Sequence, residues 1–134
     1  MTEQALRAML EFRPLYLLLL GCRRDQSRIG ELAREEFERT AQELTEYVWR
    51  AALHAGAGAG HLRAFETLAR YMLEGYAATA LDLLEGRTKD VHAVAERLTH
   101  YHWALMAAEL ARHLGRRPDG LPSRRPRTPR NTGS

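Results

Sequence analysis

Cysteine is almost absent from this chain, since Cys22 is the only one among 134 residues. A single thiol cannot form a disulfide within the chain, so we expect a protein of a reducing compartment, the cytoplasm. Long apolar runs are absent as well. The longest, from Leu15 to Leu20, is far shorter than the roughly 20 residues of a membrane span, and no basic n-region of a signal peptide precedes it. We therefore expect no membrane partner.

Motifs for catalysis or metal binding are also absent. The six histidines form no HExxH pair, and no Glu is followed by His three residues later, as a ferritin-like di-metal site requires. His92, Glu96 and His100 share a helical spacing, but no second helix supplies further ligands. Cys22 follows no nucleophile motif, although two adjacent arginines would lower its pKa. We expect no enzyme activity, no cofactor and no metal.

Charge is divided unevenly along the chain. Residues 1–114 carry 14 basic and 16 acidic side chains, whereas residues 115–134 carry six Arg and one Asp. The segment 116–134 is rich in Pro, Arg, Gly and Ser and cannot bury enough apolar surface to fold. It has no aromatic residue to stack on bases, so a solvated tail is favoured over a nucleic-acid contact. We expect a domain over 1–115 and a disordered basic tail over 116–134.

Apolar residues recur at helical spacing along most of the chain and predict an all-α fold of about five helices. The expected helices span residues 3–12, 14–20, 61–85 and 90–114, and a further long helix follows the polar turn at 22–27 and runs to about residue 53. The second helix is apolar on every side, which predicts that it is buried. Pro14 starts it, because proline lacks the N–H that the first helical turn leaves unpaired, and Gly21 ends it.

Capping residues mark the other helix ends. Candidate N-caps are Thr2, either Asp25 or Ser27, and Asp90, and the glycines that end helices are Gly86 and Gly115. Between the third and fourth helices, the alternating glycines of HAGAGAGH (54–61) predict a flexible loop.

The last two helices each show two apolar faces at 100° per residue. The core faces include Phe65, Met72 and Tyr76 on the fourth helix and Val94, Leu98 and Tyr101 on the fifth. The second faces consist of Leu68, Tyr71, Gly75, Ala78 and Thr79 on the fourth helix and Thr99, Trp103, Met106 and Leu110 on the fifth. Because a small monomer offers each helix one buried face, the second faces predict a homodimer joined by an intermolecular four-helix bundle. A monomer whose helices sandwich one another is the alternative.

Four segments together resemble a known domain. They read RPLYLLLLG, IGELAREEFERTAQELTEYVWRAALHAG, LARYMLEGYAATALDLLEG and DVHAVAERLTHYHWALMAAEL. Their order, lengths and pattern of apolar and charged residues, over residues 3–114, resemble the C-terminal effector-binding and dimerisation domain of TetR-family transcriptional regulators. The resemblance implies that the last two helices form the dimer bundle and that the preceding helices enclose a mostly apolar ligand cavity.

In that family a helix-turn-helix domain lies N-terminal to this region. Here the first expected helix begins at residue 3, so DNA is expected as a partner only through a missing N-terminal domain. A truncated regulator and a stand-alone relative both remain open.

A ligand cavity of the implied kind is lined by apolar side chains with a few polar groups. The candidates by helix face are Tyr16, Phe37, Thr40, Leu44, Tyr47, Phe65, Met72 and Tyr76. The alternative for each is a filled core position. The expected function is a non-enzymatic sensor and dimerisation domain for transcription regulation, whose partners are a second copy and a small lipophilic effector. The alternative is a small helical homodimeric interaction module with no ligand.

Overall fold

The computed structural model describes residues 2–115, which form five α-helices and no strand. The helices are α1 (Thr2–Glu11), α2 (Arg13–Gly21), α3 (Arg28–His54), α4 (Leu62–Leu84) and α5 (Val91–Leu114), and a 3-10 turn (Ala59–His61) precedes α4. The prediction of an all-α fold with five helices is confirmed. The tail expected to be disordered, residues 116–134, lies outside the described residues.

The capping chemistry explains where α3 and α5 begin and end. The hydroxyl oxygen of Ser27 accepts from the Gly30 N–H at 3.2 Å, and a carboxylate oxygen of Asp90 accepts from the Ala93 N–H at 3.0 Å. Gly115 follows α5 with φ at 66°, the left-handed conformation that favours glycine. Ser27 rather than Asp25 is thus the cap of α3. Thr2, expected as a cap, is instead the first residue of α1.

Helix α4 lies at the centre and contacts each of the other four helices. Two apolar clusters form the core. The first joins α1, the end of α4 and the start of α5, and its buried members are Leu6, Ala80, Leu83, Val91, Val94, Ala95 and Leu98. The second joins the end of α3 to the start of α4, and its buried members are Val48, Ala52, Ala57, Phe65, Leu68, Ala69 and Met72. Both α3 and α5 are therefore held on α4.

The prediction that α2 is buried is wrong. None of its nine residues is buried, and the side chains of Leu15 and Leu18 are 53% and 45% exposed. The helix packs against α3 and α4, and only part of its surface, including Leu20, reaches the first core cluster. No other segment among residues 2–115 covers the side of α2 that faces away from α3 and α4. The leucines on that side are therefore exposed to solvent, although the helix is apolar all round.

The turn before α3 packs closely on the first turn of that helix. A Cβ atom on Gly30 would lie 1.9 Å from the carbonyl oxygen of Asp25 and 3.0 Å from that of Cys22. The guanidinium of Arg34 donates to the carbonyl oxygens of Arg23 at 2.9 Å and Asp25 at 2.7 Å. The path of the chain between α2 and α3 therefore depends on the missing side chain at position 30.

We expect Gly30→Ala to destabilise the fold. Alanine is favoured over glycine in a helix by about 1 kcal/mol. Here its methyl group would meet backbone oxygens that no side-chain rotation can move, so we expect a net loss of about 1–3 kcal/mol in the free energy of unfolding. The matched control is Gly21→Ala, where a Cβ has no atom within 4 Å. Urea denaturation measures both, and equal stability of Gly30→Ala and the unaltered chain would contradict the close packing.

The glycine-rich segment between α3 and α4, which the sequence predicts to be flexible, makes local hydrogen bonds, and its flexibility stays a prediction. Gly56 has φ at 107°, and the Ala57 N–H donates to the Ala52 carbonyl at 2.9 Å. The imidazole of His61 accepts from the Gly58 N–H at 3.3 Å. The side chain of Ala57 is buried in the second core cluster, which anchors the segment.

Candidate functional site

Residues 98–108 of α5 carry no formal charge, and none of them after Leu98 is buried. All buried residues of this helix lie within 91–98. From position 98 to 108, about three turns, no side chain is Asp, Glu, Lys or Arg. Yet Tyr101 is 52% exposed and Trp103 is 72% exposed, and the side chain of Ala104 is exposed as well. A helix surface that faces only water normally carries charges, so this stretch has the character of a contact surface.

A groove lies between one side of this stretch and α4. We call this groove the seam. Its volume is about 560 Å³. Its lining residues are Tyr71, Met72, Glu74, Gly75 and Thr79 of α4 and Leu98, Tyr101, His102, Ala104 and Leu105 of α5. Tyr71 is 68% exposed, and a Cβ on Gly75 would meet no atom within 4 Å. Small residues thus leave an open channel between exposed tyrosines.

The seam is close to electrically neutral. Glu74 is the one formally charged residue that lines it, and the guanidinium of Arg23 donates to both of its carboxylate oxygens at 3.2 Å. The same guanidinium lies 3.7 Å from the centroid of the Phe37 ring. No local pattern in the sequence indicates this ion pair, because its partners are 51 positions apart.

A second groove lies on the other flank of α5, between α5 and α3, and we call it the flank groove. Its volume is about 300 Å³. Its lining residues are Thr2, Leu44, Tyr47, Val48, Ala51, Met72, Thr99, His102, Trp103 and Met106, none of which is Asp, Glu, Lys or Arg. Val48 and Met72 are buried, whereas Tyr47 and Trp103 are exposed. The groove therefore has an apolar floor and an aromatic residue on each wall.

His102 lines both grooves. Burial lowers the pKa of its imidazole from the ordinary 6.5, and the Met72 backbone acts more weakly in the opposite direction. The net effect favours the neutral ring. A neutral imidazole has one N–H and one nitrogen that accepts, so the ring offers a single acceptor.

Three of the eight candidate ligand-binding residues come together, because Leu44, Tyr47 and Met72 all line the flank groove. Phe65 does not join them. Its side chain is 0% exposed at the centre of the second core cluster. Its ring packs near Trp49, with the ring centroids 6.1 Å apart. Phe65 is thus a filled core position.

The remaining four candidates lie outside the flank groove, and they are Tyr16, Phe37, Thr40 and Tyr76. Tyr76 packs half-buried against the first core cluster, where burial and the nearby Tyr16 raise the pKa of its phenol. The Phe37 ring lies under Arg23. Thr40 is exposed, and its hydroxyl donates to the Glu36 carbonyl at 3.0 Å within the same helix. These four residues and Phe65 line neither groove.

The candidate dimer residues divide between the two flanks of α5. On α4, Tyr71, Gly75 and Thr79 line the seam and Ala78 is exposed, whereas Leu68 is buried in the second core cluster. On α5, Thr99, Trp103 and Met106 line the flank groove, and Leu110 packs against the second core cluster. The exposed α5 residues that line the seam are instead Tyr101 and Ala104. Tyr101 was expected in the core, and its exposure shows that expectation to be wrong.

Other titratable side chains make local contacts. Burial, with a smaller contribution from Asp25, raises the pKa of the Cys22 thiol, so the lowering expected from the adjacent arginines is wrong. His92 contacts Glu3 at 2.8 Å and Glu96 at 3.4 Å, and Glu3 is the main cause that raises the pKa of His92. Among residues 2–115, no cluster of three or more His, Cys, Asp or Glu side chains has the arrangement of a metal site.

Two further observations concern the chain as a whole. Within the described range, no helix is long and apolar enough to span a membrane. Comparisons with protein-family models, with curated proteins and with solved structures found no match to this chain.

Proposed function

We propose that this chain is a homodimerising sensor domain of the TetR-like type, in which the α4–α5 hairpins of two copies pack together at the seam as a four-helix bundle. The observation that carries the dimer is the stretch 98–108 of α5, about three turns long, which has no formally charged side chain and no buried residue after Leu98. Such a surface is stabilised when a partner removes it from water.

The chemistry of the seam suits a second copy of the same chain. In a two-fold dimer each residue near the axis faces its own copy, so a net charge there would repel itself. Glu74, the one charged residue of the seam, is neutralised by Arg23. Gly75 and Ala104 allow close approach of the helices, and the exposed rings of Tyr71 and Tyr101 supply apolar area.

The sensor half of the proposal is supported by the shared position of α5. Helix α5 carries the seam on one flank and the flank groove on the other, and both Met72 and His102 line the two grooves. A molecule in the flank groove would therefore touch residues that also form the dimer surface. Differential contact of this kind is what allows a ligand to bias the arrangement of two subunits.

A second candidate is the homodimeric interaction module with no ligand. It is favoured by the scatter of the eight candidate ligand-binding residues, of which only Leu44, Tyr47 and Met72 share a groove. Both candidates use the same dimer, so they differ only in whether the flank groove takes a small molecule.

A charged residue in the seam tests the dimer. We expect Ala104→Glu to convert a dimer into a monomer, because two copies of an unpaired carboxylate would face each other across the interface. Like charges so placed cost several kcal/mol, which raises the dissociation constant about a hundredfold or more. The matched control is Ala8→Glu, since Ala8 is an exposed alanine of α1 that lines neither groove.

The measurement is light scattering coupled to gel filtration, with circular dichroism to verify helicity. The proposal predicts a monomer for Ala104→Glu and a dimer for Ala8→Glu. A dimer for both variants would place the interface elsewhere and overturn the proposal.

A further inference from the structure

We propose that the flank groove binds a neutral, mainly apolar small molecule with one N–H or O–H group, and that a ring nitrogen of His102 accepts a hydrogen bond from this group. The inference rests on the sensor half of the proposed function and names the site and the chemical class of its ligand. It does not depend on the dimer, so the two claims can fail separately.

The shape of the flank groove favours a small molecule. Its volume of about 300 Å³ lies at the lower end of the range for ligand pockets, roughly 300–1,000 Å³. Tyr47 on α3 and Trp103 on α5 stand on its two walls, and the buried Val48 and Met72 form its floor. A flat apolar molecule would contact an aromatic ring on each side and apolar carbon below.

The composition of the lining favours a neutral molecule. None of the ten lining residues is Asp, Glu, Lys or Arg. A charged group taken from water into this groove would therefore find no partner of opposite charge, which is unfavourable. The hydroxyl groups of Thr2 and Thr99 lie at one end, 3.4 Å apart and bonded to each other.

His102 supplies the polar specificity. His102 lines the groove, and burial favours the neutral form of its ring, which keeps one nitrogen that accepts. That nitrogen is then an acceptor for a donor on the ligand. A ligand with one donor is selected over a pure hydrocarbon, because the hydrocarbon would leave a half-buried acceptor without a partner.

The flank groove stays open in the proposed dimer. The second copy covers the seam, which lies on the other flank of α5. The exposed leucines of α2, Leu15 and Leu18, form another apolar surface, but they line neither the seam nor the flank groove. The flank groove is therefore the site that combines concave shape, apolar floor and a single acceptor.

The first test uses a fluorescent probe of the proposed class. N-phenyl-1-naphthylamine is neutral and aromatic and has one N–H donor, and its emission rises in apolar surroundings. We expect saturable binding to the full chain and a loss of about tenfold in affinity for Trp103→Ala, because an aromatic wall is removed. The matched control is Phe12→Ala, which removes another largely exposed aromatic ring outside the groove and should leave the affinity unchanged.

The second test addresses His102. We expect His102→Phe to weaken probe binding about tenfold, whereas His102→Gln, which keeps an acceptor oxygen, should retain it within about threefold. In the unaltered chain, affinity should be full near pH 7 and fall as the pH drops through the lowered pKa of His102, since the protonated ring no longer accepts. With His102→Gln this pH dependence should disappear.

Other titratable side chains lie near His102 and could contribute to the pH dependence of binding. The titratable side chains that share a groove with His102 are Tyr47 on α3, Tyr71 and Glu74 on α4 and Tyr101 on α5. All of them are retained in His102→Gln, so any pH dependence that survives in this variant belongs to them and not to His102.

The outcomes separate the two claims. No probe binding, equal binding by Trp103→Ala and the unaltered chain, or a loss confined to Phe12→Ala would each overturn the ligand site. Masses measured by light scattering on the same samples report the dimer independently. A dimer that binds no probe would leave the interaction module as the function, and a monomer that binds the probe at His102 would leave the ligand site standing alone.

Discussion

Replacing Phe65 with alanine is expected to lower the free energy of unfolding by about 3–5 kcal/mol. The side chain is 0% exposed and is among the largest fully buried ones in the described part of the chain. Its ring packs near Trp49 of α3 and His113 of α5, with centroids 6.1 and 5.9 Å away. Three helices thus meet at this ring, and its removal leaves a cavity that they cannot readily fill.

Urea denaturation at one fixed protein concentration measures the loss, because the apparent stability of a dimer depends on concentration. The matched control is Phe12→Ala, whose ring is exposed on the connection between α1 and α2 and should change stability by less than about 0.5 kcal/mol. Similar losses for the two variants would contradict the central position of Phe65 in the second core cluster.

The second large effect is expected for Gly75→Leu, which should abolish the dimer. Within one chain the new side chain is harmless, because a Cβ on Gly75 has no atom within 4 Å. Across a four-helix interface it would keep the helices from close contact. Two copies of the leucine enter one symmetric interface, and strain of about 1–3 kcal/mol each raises the dissociation constant about thirtyfold or more.

The control for this variant is Gly21→Leu. A Cβ on Gly21 also has no neighbour within 4 Å, but Gly21 ends α2 and lines neither groove. Sedimentation velocity should give a monomer for Gly75→Leu and a dimer for Gly21→Leu, with equal helicity by circular dichroism. If Gly75→Leu sediments as a full dimer, the seam is not the interface.

Local chemistry allowed the sequence to predict where most helices begin and end. A hydroxyl or carboxylate oxygen at the N-cap bonds to an N–H three residues on, and glycine suits the left-handed residue after a helix. Ser27, Asp90 and Gly115 meet these requirements with atoms of their own segment, so their roles could be predicted without knowledge of the fold.

The burial of whole helices was harder to predict, because it depends on neighbours distant in sequence. The leucines of α2 favour burial, but nine residues do not reveal how many elements will pack on them. The close contact of Gly30 with the Asp25 carbonyl likewise depends on the angle between α2 and α3. Neither feature has a periodic signal.

The faces of α5 show the same limit. Apolar spacing identified two faces, but it could not decide which of them would lie beside the open face of α4. Trp103 points to the flank groove, whereas Tyr101 faces the seam with Gly75. A different signal was present in the sequence, since eleven consecutive residues from Leu98 without a formal charge mark an unusual surface whichever way the helix is rotated.

The most direct test of the central claim is the sedimentation-equilibrium mass of the unaltered full chain over a dilution series. The proposed seam predicts a species of twice the chain mass of 15.3 kDa that dissociates only on dilution. A single species of 15.3 kDa at every concentration would contradict it, because the uncharged stretch 98–108 of α5 would then face water without a partner.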